Sequence, residues 1–501
     1  MDESINKTVS FGGSKRALGY RKSKLSKGDS MVQNKMRIER DSMGEMEVPI
    51  DALYGASTMR AVLNFPISDL RFPRTFIRAL GVVKQSAAKT NMDLGVLSKD
   101  IGEAIIVAAD EVIKGDWDGE FVLDIFQTGS GTSTNTNANE VIANRASQIM
   151  GGDLGSRLVH PNDHVNLGQS SNDVIPTTIH VAGLIAIGES LIPALQNLRA
   201  KLNGKSEDFW DVMKTGRTHL QDATPIRLGQ EFSGFAAQAE YSIERLERCR
   251  IALREVALGG TAVGTGVNTH FEFSERTCKY ISAVSGVDVA ETRNHFQSQS
   301  TLDAVVEASG ILKTIAISLH KIANDIRFLS CGPRAGLGEI LLPEVQPGSS
   351  IMPGKINPVI SESVVQVAAQ VVGNDATLAL AGQGGYFELN TMMPVAAYNL
   401  LQSISLLATS ANNMADQCVI GIEATSVGPE MVERGLMLGT ALAPAIGYDA
   451  AAVIAKEAAA SGRTIREVAI EKTELTSEQI SQLLNPEDMT KPGLEVKGGG
   501  G

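Results

Sequence analysis

Cysteine is scarce in this chain. Its four cysteines among 501 residues lie far apart and form no Cys-x-x-Cys pair, which indicates a reducing compartment and predicts no zinc site. Aromatic residues make up only 5%, and the small side chains that replace them favour closely packed helices. No uninterrupted apolar run approaches the ~20 residues of a membrane span, and no signal-peptide core is evident. The sequence therefore predicts a large helical protein with neither a membrane span nor a secretory signal.

Charge is unevenly spread along the chain. The net charge is −12, and residues 1–35 carry eight Lys/Arg against three acidic residues, a net of +5, so the rest carries −17. An acidic body argues against nucleic acid as the main partner. The basic head lacks apolar periodicity and is predicted to be a disordered tail. Alternatively, it is a transit peptide, so we expect a cytoplasmic protein, or a mitochondrial one if the head is a targeting signal.

Five long apolar stripes predict the fold. Apolar residues recur every three or four positions within residues 184–202, 232–253, 305–326, 360–378 and 397–414. Each stripe predicts a long helix whose apolar seam meets other helices, so a helical bundle follows. We expect a disordered tail (1–35), a mixed but mostly helical domain (36–169), the central bundle (170–420) and a small helical domain (421–501).

Residues 348–358 read Gly-Ser-Ser-Ile-Met-Pro-Gly-Lys-Ile-Asn-Pro. Their prolines and glycines predict a loop with spare backbone amides rather than a helix or a central strand. Lys355, Asn357 and the loop amides suit a carboxylate whose charge grows during a reaction, with a serine oxygen near the adjacent carbon. The alternative is an ordinary Pro/Gly turn with solvated polar residues.

Two further polar clusters suit anion binding. Residues 127–137 hold nine uncharged hydrogen-bonding groups and two glycines, which indicate either a hydroxyl cradle for a carboxylate or a turn with helix caps. Residues 169–173, Gln-Ser-Ser-Asn-Asp, lie where the first long helix is predicted to begin. A helix N-terminus binds anions readily, although plain capping explains the same residues.

A fourth cluster, residues 216–222, contains His219 after Thr218. A lone histidine is more often structural than catalytic. Glu362, five residues past Asn357, is the acidic partner that we select, because a neighbouring carboxylate orients an imidazole and raises its basicity.

Together these blocks resemble the class II fumarases of the fumarase/aspartase superfamily. The matching blocks, in the family's order, are residues 129–140, 160–173, 216–223, 259–266 and 348–358. The resemblance covers roughly residues 36–494. His219 discriminates within the superfamily, because aspartases have glutamine at the matching position.

The resemblance implies a three-domain, mainly α fold whose bundle assembles into a homotetramer with active sites shared by three subunits. It implies reversible hydration of fumarate to L-malate, without metal or organic cofactor, through an aci-carboxylate intermediate. Ser349 would take the C3 proton, and His219, oriented by Glu362, would serve the hydroxyl or water as acid/base. The residues implied to bind the substrate are Ser130, Thr132, Ser170, Ser171, Asn172, Thr218, Ser350, Lys355 and Asn357. A second dicarboxylate site would use His160, Asn162 and Asp163.

Three other functions stay open at this point. An aspartate ammonia-lyase would share the fold, but His219 argues against it. Argininosuccinate lyase has a related loop, whereas the motif set here suits a small dicarboxylate. A crystallin-like scaffold without activity would be favoured by loss of Ser349, His219 or Lys355, and all three are present.

Overall fold

The structure, a computed structural model, describes residues 35–492. The predicted tail lies outside them except for Lys35. The helices of the described part are α1 Ala56–Asn64, α2 Arg74–Asp93, α3 Lys99–Lys114, α4 Thr132–Ile149, α5 Ser171–Ala186, α6 Ile192–Asp208, α7 Leu228–Leu253, α8 Phe273–Ser285, α9 His295–Ser300, α10 Asp303–Leu329, α11 Val359–Gly382, α12 Met393–Gln417, α13 Val427–Val432, α14 Ala443–Ile446, α15 Tyr448–Ser461, α16 Ile465–Lys472 and α17 Ser477–Leu483.

The strands are short and form only two-stranded sheets within the described residues. They are β1 Met36–Asp41, β2 Gly44–Pro49, β3 Met213–Thr218, β4 Gln221–Arg227, β5 Glu255–Val256, β6 Ala290–Glu291, β7 Ile340–Leu341, β8 Gly385–Tyr386, β9 Leu389–Asn390 and β10 Glu423–Ala424. Only β5 and β6 pair in parallel; the other four pairs are antiparallel.

A bundle of five long helical segments forms the centre of the molecule. α5 and α6 join through a π-helical turn, Ile187–Leu191, into one segment, and α7, α10, α11 and α12 pack with it. The residues that face inward on α7 are the predicted stripe, from Phe232 to Leu253. The same holds for α10, from Val305 to Ile326. The prediction of a mainly helical fold with a central five-helix bundle is confirmed.

The buried apolar residues form two clusters. The larger one is continuous from the N-terminal helices α2, α3 and α4 into the bundle. The smaller one belongs to the C-terminal helices, with Leu442, Val468 and Ile480 fully buried. The predicted domain limits at 169/170 and 420/421 stay a prediction, since one core spans the first of them.

Two helical stretches are apolar enough, by length and composition, to cross a membrane: Ser171–Asp208 and Val359–Gly382. Both belong to the bundle, and core packing accounts for the apolar character of Ser171–Asp208. The most apolar window of Ser171–Asp208 is 72% buried, but that of Val359–Gly382 is only 33% buried. One apolar face of α11 is therefore left uncovered by the described part of the chain.

Candidate active site

The loop of residues 348–358 is closed by a tight backbone contact. A Cβ atom at Gly348 would lie 1.6 Å from the Lys355 carbonyl oxygen, so only glycine fits there. The Asn357 side-chain amide donates to the Gly348 carbonyl. The Asn357 amide therefore fastens the two limbs of the loop to each other.

Ser349 is held by the amides that follow it. Its Oγ accepts hydrogen bonds from Ile351 N at 3.3 Å and from Met352 N at 3.0 Å. Two N–H donors on one hydroxyl oxygen favour negative charge on that oxygen. Ser350, the next residue, is exposed.

Lys355, Asn357 and Glu362 line one cavity of about 850 Å³. Its opposite wall comes from the end of α10 and the following loop, including Arg327 and Cys331. Glu362 lies in the first turn of α11, where the helix dipole favours a carboxylate. Lys355 is exposed and makes no ion pair with any described residue. The cavity thus combines two cationic side chains, the two amides of Asn324 and Asn357, and one carboxylate.

His219 lies at the tip of the β3–β4 hairpin. Thr218 pairs with Gln221, so His219 and Leu220 form a two-residue turn, with φ of 56° and 59°. Positive φ at both positions is the type I′ geometry that asparagine and glycine prefer. The turn exposes both His219 and Leu220. An outlier of this kind, held by its surroundings, is typical of functional positions.

Buried charges anchor the hairpin. Lys214 Nζ lies 3.0 Å from Glu231 and 3.4 Å from Glu339, and Arg217 lies 2.7 Å from Glu339. Lys214 and Glu339 are each no more than 2% exposed, so solvent screens these pairs little. The network ties the strand that carries Thr218 to the chain just before β7. Because these charges are buried, they fix the direction in which the hairpin tip points.

The N-terminus of α4 presents Ser130 and Thr132. Gly131 caps the helix with φ of 72°, a conformation that glycine adopts without strain. The Ser130 and Thr132 hydroxyl oxygens lie 2.8 Å apart and share a hydrogen bond. The two hydroxyls therefore face the same space in front of the helix.

The N-terminus of α5 is a capping box, and the plain capping role considered for Ser170 is present. Ser170 Oγ accepts from Asn172 N at 3.2 Å, and Asp173 accepts from Ser170 N at 2.9 Å. The Asn172 amide donates to the Ala262 carbonyl. Asp173 also accepts from Gly259 N and Thr261 N. Its burial raises the pKa of Asp173 to about 6.

A polar cavity of about 380 Å³ joins α4 to α5. Thr132, Ser170, Ser171 and Asn162 line it. Five further residues of the same motif blocks, which were not selected as site residues from the sequence, also line it: Asn135, Asn139, Asn166, Gln169 and Thr261. Asn135 Oδ1, Asn139 Oδ1 and Thr261 Oγ1 are buried without a hydrogen-bond partner among the described residues. Buried polar atoms without partners are rare in proteins and indicate a place for a ligand or water.

A fully buried lysine stands behind this cavity. Lys84, on α2, is 0% exposed and was not identified from the sequence. Its signal in the sequence was faint: Lys84 is the single charge in the segment Ala79–Ala88, in which Gln85 and Ser86 are the other polar side chains.

His160 begins the π-helical turn Pro161–Val165. Its Nδ1 accepts from Asn162 N at 3.3 Å and Asp163 N at 3.1 Å. Nδ1 also lies 3.2 Å from the Asp163 carboxylate. The two amide contacts decide the tautomer: Nδ1 is an acceptor, so His160 does not donate to Asp163 from that atom. Asn162 and Asp163 are exposed beside it.

Eight of the predicted residues lie on three features of the single chain. The polar cavity holds Thr132, Ser170 and Ser171; the larger cavity holds Lys355, Asn357 and Glu362; the hairpin tip holds Thr218 and His219. No hydrogen bond or ion pair within residues 35–492 joins His219 to Glu362. In the same range, no group of three or more His, Cys, Asp or Glu side chains could hold a metal ion.

Comparison with known proteins identifies the family. Residues 44–373 match the family described as "Lyase", and residues 438–491 match the one described as "Fumarase C C-terminus". A fumarate hydratase class II of Halobacterium salinarum is 55% identical over 91% of this chain and 98% of its own length. The human mitochondrial fumarate hydratase is 48% identical over 92% of this chain and 91% of its own length.

Solved structures agree with this family. The class II fumarase of Schistosoma mansoni superimposes with a TM-score of 0.89 at 38% identity, covering 91% of this chain and 99% of that one. Identity of about half over nearly the whole described chain, together with the ordered motif blocks, leaves one assignment: the chain belongs to the class II fumarate hydratase family.

Proposed function

We propose that this chain catalyses the reversible hydration of fumarate to L-malate. The observation that carries the proposal is the geometry of Ser349. Its Oγ accepts hydrogen bonds from two backbone amides within the loop that also contains Lys355. Relatives about half identical to this chain are named fumarate hydratases. His219, rather than the glutamine of aspartases, stands against an ammonia-lyase.

In the dehydration direction, Ser349 removes the C3 proton of malate. The electron pair of that C–H bond moves onto the adjacent carboxylate and gives the aci-carboxylate intermediate. Lys355, Asn357 and the loop amides stabilise the added charge, because preorganised donors and cations cost no reorganisation when charge develops. The alkoxide form of serine is reachable because the Ile351 and Met352 amides already point at Oγ.

His219 serves the other end of the reaction. As the imidazolium, it protonates the departing hydroxide, which leaves from C2 as water; in the hydration direction it removes a proton from the attacking water. Glu362 orients the imidazole. The substrate carboxylates and hydroxyl are bound by the remaining donors, namely Ser130, Thr132, Ser170, Ser171, Asn172, Thr218 and Ser350.

The site requires several subunits. Within residues 35–492, His219 is exposed at a hairpin tip, Glu362 lines the cavity of Lys355, and no hydrogen bond or ion pair joins the two. We propose a homotetramer in which each active site combines residues of three subunits. The uncovered apolar face of α11, with Leu380 64% exposed, and exposed apolar residues on α7 and α10 support burial against other copies.

A second dicarboxylate site is proposed at the turn that contains His160, Asn162 and Asp163. Asn162 also lines the polar cavity, so this site would lie beside the entrance to the first. A dicarboxylate there is expected to bind without being converted, because neither Ser349 nor His219 shares this turn.

The protein is proposed to act in the cytoplasm, where its reaction is a step of the tricarboxylic acid cycle. Mitochondrial import is the alternative, because relatives include mitochondrial enzymes and residues 1–35 carry a net of +5. Fusing residues 1–35 to a fluorescent protein separates the two, since only a transit peptide would carry the fusion into mitochondria.

Ultraviolet absorbance of fumarate tests the proposed reaction. With L-malate as substrate and no added metal, absorbance is expected to rise, and a chelator is expected to leave the rate unchanged. L-aspartate is the matched second substrate. A faster rise with aspartate than with malate would overturn the assignment.

A further inference from the structure

Lys84 is fully buried beside the polar cavity, with 0% of its side chain exposed. Its Nζ donates to Asn166 Oδ1 at 2.9 Å and to Gln169 Oε1 at 3.0 Å. Burial lowers the pKa of Lys84 to about 7, against the opposing influence of the Asp173 carboxylate. A side chain that is so costly to bury is retained only when its contacts compensate or when it serves the site.

The two amides that face Lys84 can point only one way. Asn166 Nδ2 donates to the Gln169 carbonyl at 3.1 Å. Gln169 Nε2 donates to the Val165 carbonyl at 3.0 Å and to the Leu167 carbonyl at 3.3 Å. Because backbone carbonyls accept from both NH₂ groups, both amide oxygens must face Lys84 Nζ. Lys84 therefore locks the loop of residues 165–169 in one orientation.

Through hydrogen bonds, the fixed orientation of the Asn166 amide also fixes the side chains that line the polar cavity. Asn166 Oδ1 also accepts from Asn135 Nδ2 at 3.2 Å, and Asn135 Nδ2 donates to Ser171 Oγ at 2.9 Å. Since Ser171 Oγ accepts from Asn135, the proton of its own hydroxyl is free to donate elsewhere. Ser171 lines the polar cavity, so that proton is available to a ligand there.

We propose that Lys84 is a positioning residue for substrate binding. It fixes the amide of Asn166, Asn166 fixes Asn135, and Asn135 leaves the Ser171 hydroxyl as a hydrogen-bond donor toward a substrate carboxylate. This inference rests on the proposed function for the identity of the ligand, a four-carbon dicarboxylate. It assigns to Lys84 no contact with the reacting atoms.

Lys84→Met tests the relay, because methionine has a similar length but cannot donate a hydrogen bond. A hydrogen bond to a charged group is worth roughly 10- to 100-fold in affinity. We expect KM for malate to rise by about that factor while kcat changes less than about threefold. Lys89→Met is the matched control on the same helix: Lys89 is exposed, over the Tyr280 ring, and its loss is expected to leave both constants unchanged.

A double-mutant cycle separates positioning from mere structure. If Lys84 acts through the Ser171 hydroxyl, Ser171→Ala should raise KM in the native chain but add little in the Lys84→Met background. Additive losses in the double variant would overturn the relay. A KM within twofold of native in a folded Lys84→Met protein would overturn it as well.

Folding failure is handled by a second variant. Where Lys84→Met gives no soluble protein, Asn166→Ala interrupts the same relay and is expected to raise KM similarly. An unchanged KM in Asn166→Ala would contradict the proposal.

Binding of succinate, a saturated dicarboxylate that cannot be hydrated, separates this inference from the proposed function. Calorimetry should show weaker succinate binding in Lys84→Met than in Lys89→Met. Lys84-dependent succinate binding by a chain that does not convert malate would retain the relay and refute the reaction. If the native chain converts malate but Lys84→Met binds succinate as tightly as Lys89→Met does, the reaction is retained and the relay is refuted.

Discussion

Ser349 and His219 are assigned to opposite ends of the substrate. Ser349 Oγ is held by two backbone amides, whereas His219 occupies an exposed hairpin tip. General acid/base groups contribute roughly 10²–10⁴-fold, so Ser349→Ala and His219→Asn should each lower kcat at least about a hundredfold. Exchange of the C3 proton with solvent should fall most in the serine variant, and exchange of the hydroxyl oxygen most in the histidine variant.

Glu362→Gln is the graded comparison for these two variants. It removes the orienting charge but keeps the shape, so it should resemble a mild form of the histidine variant. Near-normal C3 exchange in Ser349→Ala would mean that the serine is not the base, and the loop of residues 348–358 would then only bind substrate.

Cys331 is expected to be the reactive thiol of the chain. Burial raises the pKa of Cys249 and of Cys278 to about 12 and that of Cys418 to about 11, so these three thiols stay protonated and unreactive. Cys331 is partly exposed and lines the cavity of Lys355. A thiol reagent should label one cysteine quickly in the native protein, and malate should slow it.

Cys331→Ser provides the check on that labelling. The variant should lose the fast phase of labelling and keep only the slow labelling of the three buried cysteines. A fast phase that persists in this variant would show that one of the buried cysteines becomes exposed in solution.

At single positions, the sequence predicts chemistry better than geometry. Lys355 and Asn357 could be selected because prolines and glycines around them exclude regular structure. Lys84 could not, because a lysine on a helix is ordinarily solvated and only tertiary packing makes it buried. The pairing of Asn135 with Ser171 also depends on two helix ends meeting in space, which no local pattern encodes.

The β3–β4 hairpin shows the same limit for elements. Its turn residues, His219 and Leu220, lack the Asn-Gly signal by which a type I′ turn is predicted. Tertiary anchoring by Lys214, Arg217 and Glu339 overrides the local preference. The long bundle helices were predictable for the opposite reason: each carries five to seven apolar residues at one period, and this repeat outweighs local exceptions.

The strain of this turn is measurable. Leu220 has φ of 59° and is 72% exposed, and a left-handed conformation costs a non-glycine residue roughly 1–2 kcal/mol. Leu220→Gly should therefore raise the temperature of thermal unfolding by about one degree, since the same free energy moves the transition of a large chain less. Activity should fall at the same time, because glycine loosens the residue next to His219.

Val107→Gly is the control for Leu220→Gly. Val107 is 48% exposed within α3, where glycine is unfavourable, so this variant should unfold at a lower temperature. Lowered stability in both variants would show that the Leu220 side chain makes contacts that outweigh its backbone strain.

At the scale of the whole molecule, the fold of one chain leaves part of its bundle uncovered. The bundle buries the predicted stripes but leaves one face of α11 uncovered, and no hydrogen bond or ion pair among residues 35–492 joins His219 to Glu362. The sequence predicted the helices from their stripes, whereas the assembly was only implied by family resemblance. A stripe shows that a helix packs, but it does not show whether the packing partner belongs to the same chain.

Mixing two inactive variants tests the shared site directly. If each active site takes Ser349 from one subunit and His219 from another, unfolding and refolding Ser349→Ala together with His219→Asn should produce hybrid tetramers. In an equal mixture, a site is intact when one particular subunit has its serine and another its histidine. Random assortment therefore restores about a quarter of the native sites. Each variant refolded alone is the control and should stay inactive. If both residues acted within one chain, every site would lack one of them, and the mixture would recover no activity although light scattering showed tetramers.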